Sequence, residues 1–157
     1  MNTGNTKLKT KETKEKKVTK TKPLGQQVID AWNSRMDEVI LPFYTQEYVV
    51  EDITAGRIRE GWEGLRQWTR SVFTAFPNLH YALVDHIETD SKLVLHWLAK
   101  GNHQGPLMKI PATGKNVFIH GMSILRLENG KITHGQVMWD MAGVLRQIGL
   151  LPEINHH

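Results

Sequence analysis

Residues 116–140 read NVFIHGMSILRLENGKITHGQVMWD, two alternating runs on either side of Asn129-Gly130, a dipeptide that favours a hairpin turn. In the first run Phe118, His120, Met122, Ile124 and Arg126 share one face, and Val117, Ile119, Gly121, Ser123 and Leu125 the other. In the second, His134, Gln136, Met138 and Asp140 oppose Thr133, Gly135, Val137 and Trp139. The turn decides which faces coincide. A two-residue turn sets Arg126 opposite Thr133 and puts Asp140 with Ile119, Gly121 and Ser123. A three-residue turn with a bulge sets Arg126 opposite Ile132 and puts Asp140 with Phe118, His120 and Met122. Both suit the sequence ENGK. The second builds one surface from His120, Met122, Arg126, Gln136, Met138 and Asp140, and such a mixture of apolar walls with a few polar groups is what a ligand pocket needs.

The period of two extends backward through LHYALVDHIETD (79–90) and KLVLHWLAKGNH (92–103), giving four consecutive strands and an antiparallel meander. Further upstream the period lengthens. Val28, Ile29, Trp32, Met36, Val39 and Ile40 recur at helical spacing over 24–40, and Leu65, Trp68, Val72 and Phe76 do so over 56–78, where Pro77-Asn78 ends the helix. Between these lies a break at Pro42 and a short β-rich stretch, Tyr48 to Ile53. A last short helix, 141–152, stops at Gly149 and Pro152. Helices followed by a meander predict an α+β domain with the helices on one face of a strongly twisted sheet. A sheet curled around a helix leaves an open mouth and a pocket.

The remaining segments bound the possibilities. Residues 7–22 hold eight lysines and two glutamates, a net +6 against +4 for all 157 residues, so the rest of the chain is net acidic by about two charges. With so few apolar side chains, residues 1–22 are expected to form a disordered basic tail. The domain is then 23–152, and 153–157 a C-terminal extension. The tail lacks the aromatic side chains that stack on bases, and no basic stripe continues it into the domain, so nucleic acid is not an expected partner. No apolar run approaches 18 residues, and no secretory signal is apparent, so neither a membrane span nor export is expected. Cysteine is absent, which removes disulfides and thiol chemistry, and the expected address is cytoplasmic.

Among candidate site residues, Asp140 reads in two ways: as the N-cap of the helix beginning at Met141, or as a partly desolvated general base. His120 reads as a sheet residue or as a donor to a substrate oxygen. Trp97, mid-sheet beside the strand bearing His120, is the favoured aromatic wall. His80, His86, His96, His103 and His134 lack metal-ligand spacing, so no metal site is predicted. Phosphate loops, dinucleotide fingerprints and serine-nucleophile motifs are missing as well.

The segments AFPNLHY, GNHQG, IPATGK, ENGKI and WDMAGVLRQIGLLP, in that order and spacing, resemble the SnoaL-like polyketide cyclases, a group within the NTF2-like (nuclear transport factor 2-like) superfamily, over residues 24–152. The resemblance implies an α+β cone, a cavity at its wide end and a homodimer formed through the sheet. It also implies an intramolecular aldol closure, without metal or organic cofactor, in which an aspartate of the last strand is the acid/base. By position in WDMAGVLRQIG that aspartate is Asp140, with His120 and Arg126 beside it. This chain departs where members carry acid-x-Trp, having His134-Gly135-Gln136, and has Lys109 where glycine is common. The substrate therefore does not carry over. The expected function is a cofactor-independent acid/base enzyme acting on a small hydrophobic carbonyl compound, with Asp140 and His120 catalytic and Trp97, Met122, Arg126, Gln136 and Met138 binding the substrate. The competing expectations are a non-catalytic binder of hydrophobic ligands and an isomerase or hydrolase on the same scaffold.

Overall fold

The structure, a computed structural model, describes Met1 and residues 21–154. The basic tail lies almost wholly outside the described residues, as do the last three residues of the C-terminal extension. Helices α1 (Leu24–Ser34), α2 (Asp37–Ile40), α3 (Gly61–Ala75) and α4 (Met141–Gln147) accompany six strands. These are β1 (Tyr44–Asp52), β2 (Arg57–Glu60), β3 (His80–Glu88), β4 (Lys92–Asn102), β5 (Asn116–Glu128) and β6 (Lys131–Trp139). They form one curved, unclosed sheet in the order β2-β1-β6-β5-β4-β3.

The four-strand meander is β3 to β6, every neighbouring pair antiparallel. Two strands extend it. β1 runs parallel to β6, and β2 folds back on β1, so the sheet is mixed. Residues 57–60, expected within a helix, are strand β2, and α3 begins only at Gly61, whose φ of 66° is a left-handed conformation that glycine adopts cheaply. The first helix is likewise shorter than its apolar pattern. It ends at Ser34 because Arg35 turns left-handed (φ 60°), and the pattern restarts in α2.

β5 alternates without a fault, odd positions buried and even positions exposed. The buried face meets α1 and α3. Val28, Ile29, Ala31 and Trp32 of α1 and Leu65 of α3 pack with Leu93, Leu95, Ile119 and Leu125 into one core. The helices also touch through Trp32 and Trp68, edge to face at 5.2 Å. Asn33 ties α1 to β3 by two hydrogen bonds, donating to the Tyr81 carbonyl (2.9 Å) and accepting from its N–H (2.8 Å). Bulges bend the sheet at Val84 and Thr133.

The turn at Asn129-Gly130 has two residues, both left-handed (φ 50° and 75°), pairing Glu128 with Lys131 and Leu127 with Ile132. Thr133 is then an extra residue, and Arg126 faces His134. The hairpin thus has the shorter turn, yet the bulge restores the pairing parity of the longer one.

Candidate functional site

The sheet and the helices enclose a cavity of about 180 Å3. That is close to the roughly 150 Å3 of an engineered apolar cavity that holds benzene, so one or two rings fit. Its wall draws Tyr44, Tyr48 and Asp52 from β1, Trp97 from β4, Ile119, Ser123 and Leu125 from β5, and Val137 and Trp139 from β6. Trp32 and Trp68 close the helical side. The loop between β4 and β5 contributes Pro106, Leu107 and Met108 at the mouth, beside the exposed Arg57. His103 anchors that loop. Its ring is fully buried against Phe76, and Nδ1 meets the Thr113 hydroxyl at 3.0 Å and accepts from the Thr113 N–H at 3.3 Å.

Trp97 sits on the cavity wall because Gly121, opposite it on β5, leaves room for the ring: a Cβ there would fall on the indole. Its Nε1 donates to the Ser123 hydroxyl at 3.1 Å, and its ring meets Tyr81 edge to face at 5.4 Å. The small pair Gly121 and Ser123 therefore marks the inner side of β5.

The other expected site residues lie elsewhere. His120, Met122 and Arg126 occupy the exposed face of β5, and Gln136 and Met138 occupy the same face of β6. Register does bring them together, with Met122 opposite Met138 and the Asp140 N–H donating to the His120 carbonyl at 2.9 Å. The surface they form is nonetheless the convex side of the sheet, away from the helices, and Met122 and Met138 are 43% and 41% exposed. Gln136 spends its amide on Glu51 at 3.1 Å. Asp140 is exposed, caps α4 by accepting from the Gly143 N–H at 2.8 Å, and does not line the cavity.

The cavity has its own acid. Asp52 ends β1 on the inward parity shared with Tyr48 and Val50, and it is 4% exposed. Its Oδ1 accepts from the Ala55 N–H (3.0 Å) and from Trp139 Nε1 (3.2 Å). Arg59 Nη1 stands 3.9 Å from its Oδ2. The guanidinium rests over the Trp68 ring at 5.2 Å. Burial holds Arg59 below its usual pKa, with the Asp52 charge partly restoring it. Burial also raises the cavity phenols. Tyr44, whose hydroxyl accepts from Trp32 Nε1 at 2.8 Å, is pushed up to about 12, and Tyr48 and Tyr81 are raised as well, so all three stay protonated near neutrality.

Asp52 carried a signal in the sequence: Tyr48-x-Val50-x-Asp52 is an alternating strand ending on an acid. Arg59 carried little, since its segment has the composition of a helix start. Among the described residues no group of histidine and acidic side chains could hold a metal ion. No helix there is long and apolar enough to cross a membrane.

A six-stranded curved sheet wrapped on helices around an apolar cavity with one buried acid defines an NTF2-like α+β cone. Solved structures share it. AclR from Streptomyces galilaeus, a candidate hydroxylase, superposes with a TM-score of 0.74 at 21% identity, over 84% of this chain and 86% of that one. IdmH from Streptomyces antibioticus, a candidate polyketide cyclase, gives 0.70 at 20% identity, over 80% and 96%. A protein of ketosteroid isomerase-like fold from Catenulispora acidiphila gives 0.70 at 17%, over 84% and 96%. At these identities the likeness is one of fold. No curated protein sequence matches the chain. Residues 23–148 match the family of SnoaL-like polyketide cyclases, and the chain belongs to that family.

Proposed function

We propose that this protein is a cofactor-independent acid/base enzyme of the cyclase type, acting inside the cavity on a compact hydrophobic carbonyl compound, with Asp52 as the base. The observation that carries this reading is a buried carboxylate, held by two N–H donors and faced by Arg59, in a cavity walled mainly by aromatic and aliphatic side chains. Asp52 takes a proton from the carbon next to a carbonyl, and the electron pair moves onto that carbonyl oxygen. The enolate carbon then attacks a second carbonyl of the same molecule, and protonated Asp52 returns its proton to the new alkoxide. The apolar walls fold a flexible substrate so that its two reacting carbons meet. Trp97 supports one side of the ring being formed. A cytoplasmic setting belongs to this reading, supported by the absence of cysteine.

Deuterium exchange tests the first step without knowing the natural substrate. The wild-type protein should accelerate exchange of the acidic C–H protons of 2-tetralone, followed by NMR in D2O. Asp52→Asn should lower that rate by about 10²- to 10⁴-fold while the protein stays folded. Exchange that is insensitive to Asp52→Asn removes Asp52 as the base.

We extend the reading to a homodimer formed through the convex sheet face. That face carries Phe118, Met122, Ile124 and Met138 in neighbouring positions, each more than a third exposed.

A further inference from the structure

The guanidinium of Arg59 is a donor group without an acceptor. It has five N–H donors, yet among the described residues it makes no hydrogen bond, and Nη1 is shut off from solvent with no partner. Its nearest anion, Asp52 Oδ2 at 3.9 Å, is beyond hydrogen-bond reach. The side chain is only 15% exposed, and Trp68 fixes it from one face. β2 turns Arg57 and Arg59 toward the cavity and leaves Ile58 outward, 66% exposed. Three charged side chains therefore line the cavity, two guanidinium groups and one carboxylate. Arg57 is exposed at the mouth, where water serves its charge, but a neutral apolar ligand would leave the buried donor of Arg59 without a partner, which is costly away from water. A ligand oxygen that carries or develops negative charge supplies that partner.

We propose that Arg59 is a catalytic residue that receives the substrate's carbonyl oxygen and holds it as the enolate oxygen while Asp52 takes the neighbouring proton. This inference rests on the reading of Asp52 as the base, and it narrows the substrate class. The oxygen to be polarised and the acidic C–H must sit on adjacent carbons, because the donor and the base are 3.9 Å apart at their nearest atoms. A compact ketone or 1,3-dicarbonyl with one or two rings meets that requirement. The C–H bond breaks, an O–H bond forms on Asp52, and the electron pair rests on the oxygen against the guanidinium. Such a donor, fixed before reaction and removed from water, stabilises the charge that develops in the transition state more than the neutral ground state.

The enolate oxygen can be imitated by 4-nitrophenol, whose visible absorbance reports its ionisation. In the Asp52→Asn protein, which stands for the enzyme after proton removal, the bound probe should favour the phenolate at least tenfold more than the free probe does. Arg59→Gln in that background should abolish the preference, and Arg59→Lys should keep part of it. In the protein with Asp52 intact, Arg59→Gln should lower kcat for 2-tetralone exchange by about 10²-fold with little change in KM, and Arg59→Lys should recover part of the loss. Melting curves of each variant identify any that do not fold, and the lysine variant keeps the charge where glutamine destabilises. A phenolate preference that survives Arg59→Gln, or a probe that does not bind, overturns the assignment of Arg59. Exchange that ignores Asp52→Asn while the phenolate preference still depends on Arg59 overturns the base instead, and with it the pairing proposed here.

Discussion

Asp52 and Asp140 end neighbouring parallel strands on opposite sides of one sheet, and their environments divide the work. Asp140 accepts from the Gly143 N–H in the first turn of α4, where an aspartate satisfies an otherwise unpaired donor. Asp140→Ala should therefore cost about 1 kcal/mol of stability in urea denaturation and leave the exchange rate of 2-tetralone at the wild-type level. A loss of exchange comparable to that of Asp52→Asn would return the chemistry to Asp140. The sequence makes the facing of these acids half legible. Of the two registers the turn allows, the bulged one places Asp140 with His120, Met122, Gln136 and Met138, and those residues do share a face. Alternation does not say which face the helices cover, because Phe118, Met122 and Ile124 are as apolar as Val117, Ile119 and Leu125. Gly121 and Ser123 hold the missing information. Small residues mid-strand make room for a large ring, and the ring is Trp97.

At the scale of elements, β1 concentrates what the sequence hid. Only its second half reads as β-rich, yet the strand runs from Tyr44 to Asp52, because parallel pairing with β6 comes from a segment more than eighty residues away. β2 was hidden for the same kind of reason. Four residues resembling a helix start become strand because they pair with β1, a tertiary override of local preference. The meander, by contrast, joins strands consecutive in sequence, with short turns at two of its three connections, and is readable throughout. The inward face of β1 also makes a pH prediction. Tyr44 is pushed from 10.0 to about 12 by burial, with Trp32 as a weaker opposing influence. The folded protein thus binds this proton more tightly than the unfolded chain does. The associated stability is complete below pH 10.0 and is lost as pH climbs toward about 12, an effect on the order of 3 kcal/mol. Tyr48 and Tyr81 shift the same way. Melting temperature measured across this alkaline range should fall steeply above pH 10.0. Tyr44→Phe should flatten the fall while lowering stability at neutral pH, since Trp32 Nε1 loses its acceptor.

For the whole molecule, one face of the sheet is covered by α1 and α3 and the other is not covered by any described helix. Rows across the meander place Ile87, Val94, Ile124 and Gln136 side by side, and next to them His96, Met122 and Met138. Phe118 adds a ring at the edge of this patch, packed on His120 at 5.0 Å with the Lys100 ammonium over it at 5.2 Å. This surface, apolar apart from His96 and Gln136, is the one on which the proposed homodimer would form. A second copy meeting it about a two-fold axis sets Met122 and Met138 against their own counterparts, and this self-complementarity suits a flexible, polarizable side chain. Met122→Glu then places two carboxylates near the axis, and like charges held close in a desolvated interface oppose association. Light scattering should report a dimer for the wild-type protein and a monomer for Met122→Glu at the same concentration. Because the cavity lies on the other side of the sheet, the monomeric variant should still bind 4-nitrophenol. A wild-type protein that stays monomeric at high micromolar concentration assigns the convex face to something other than self-association.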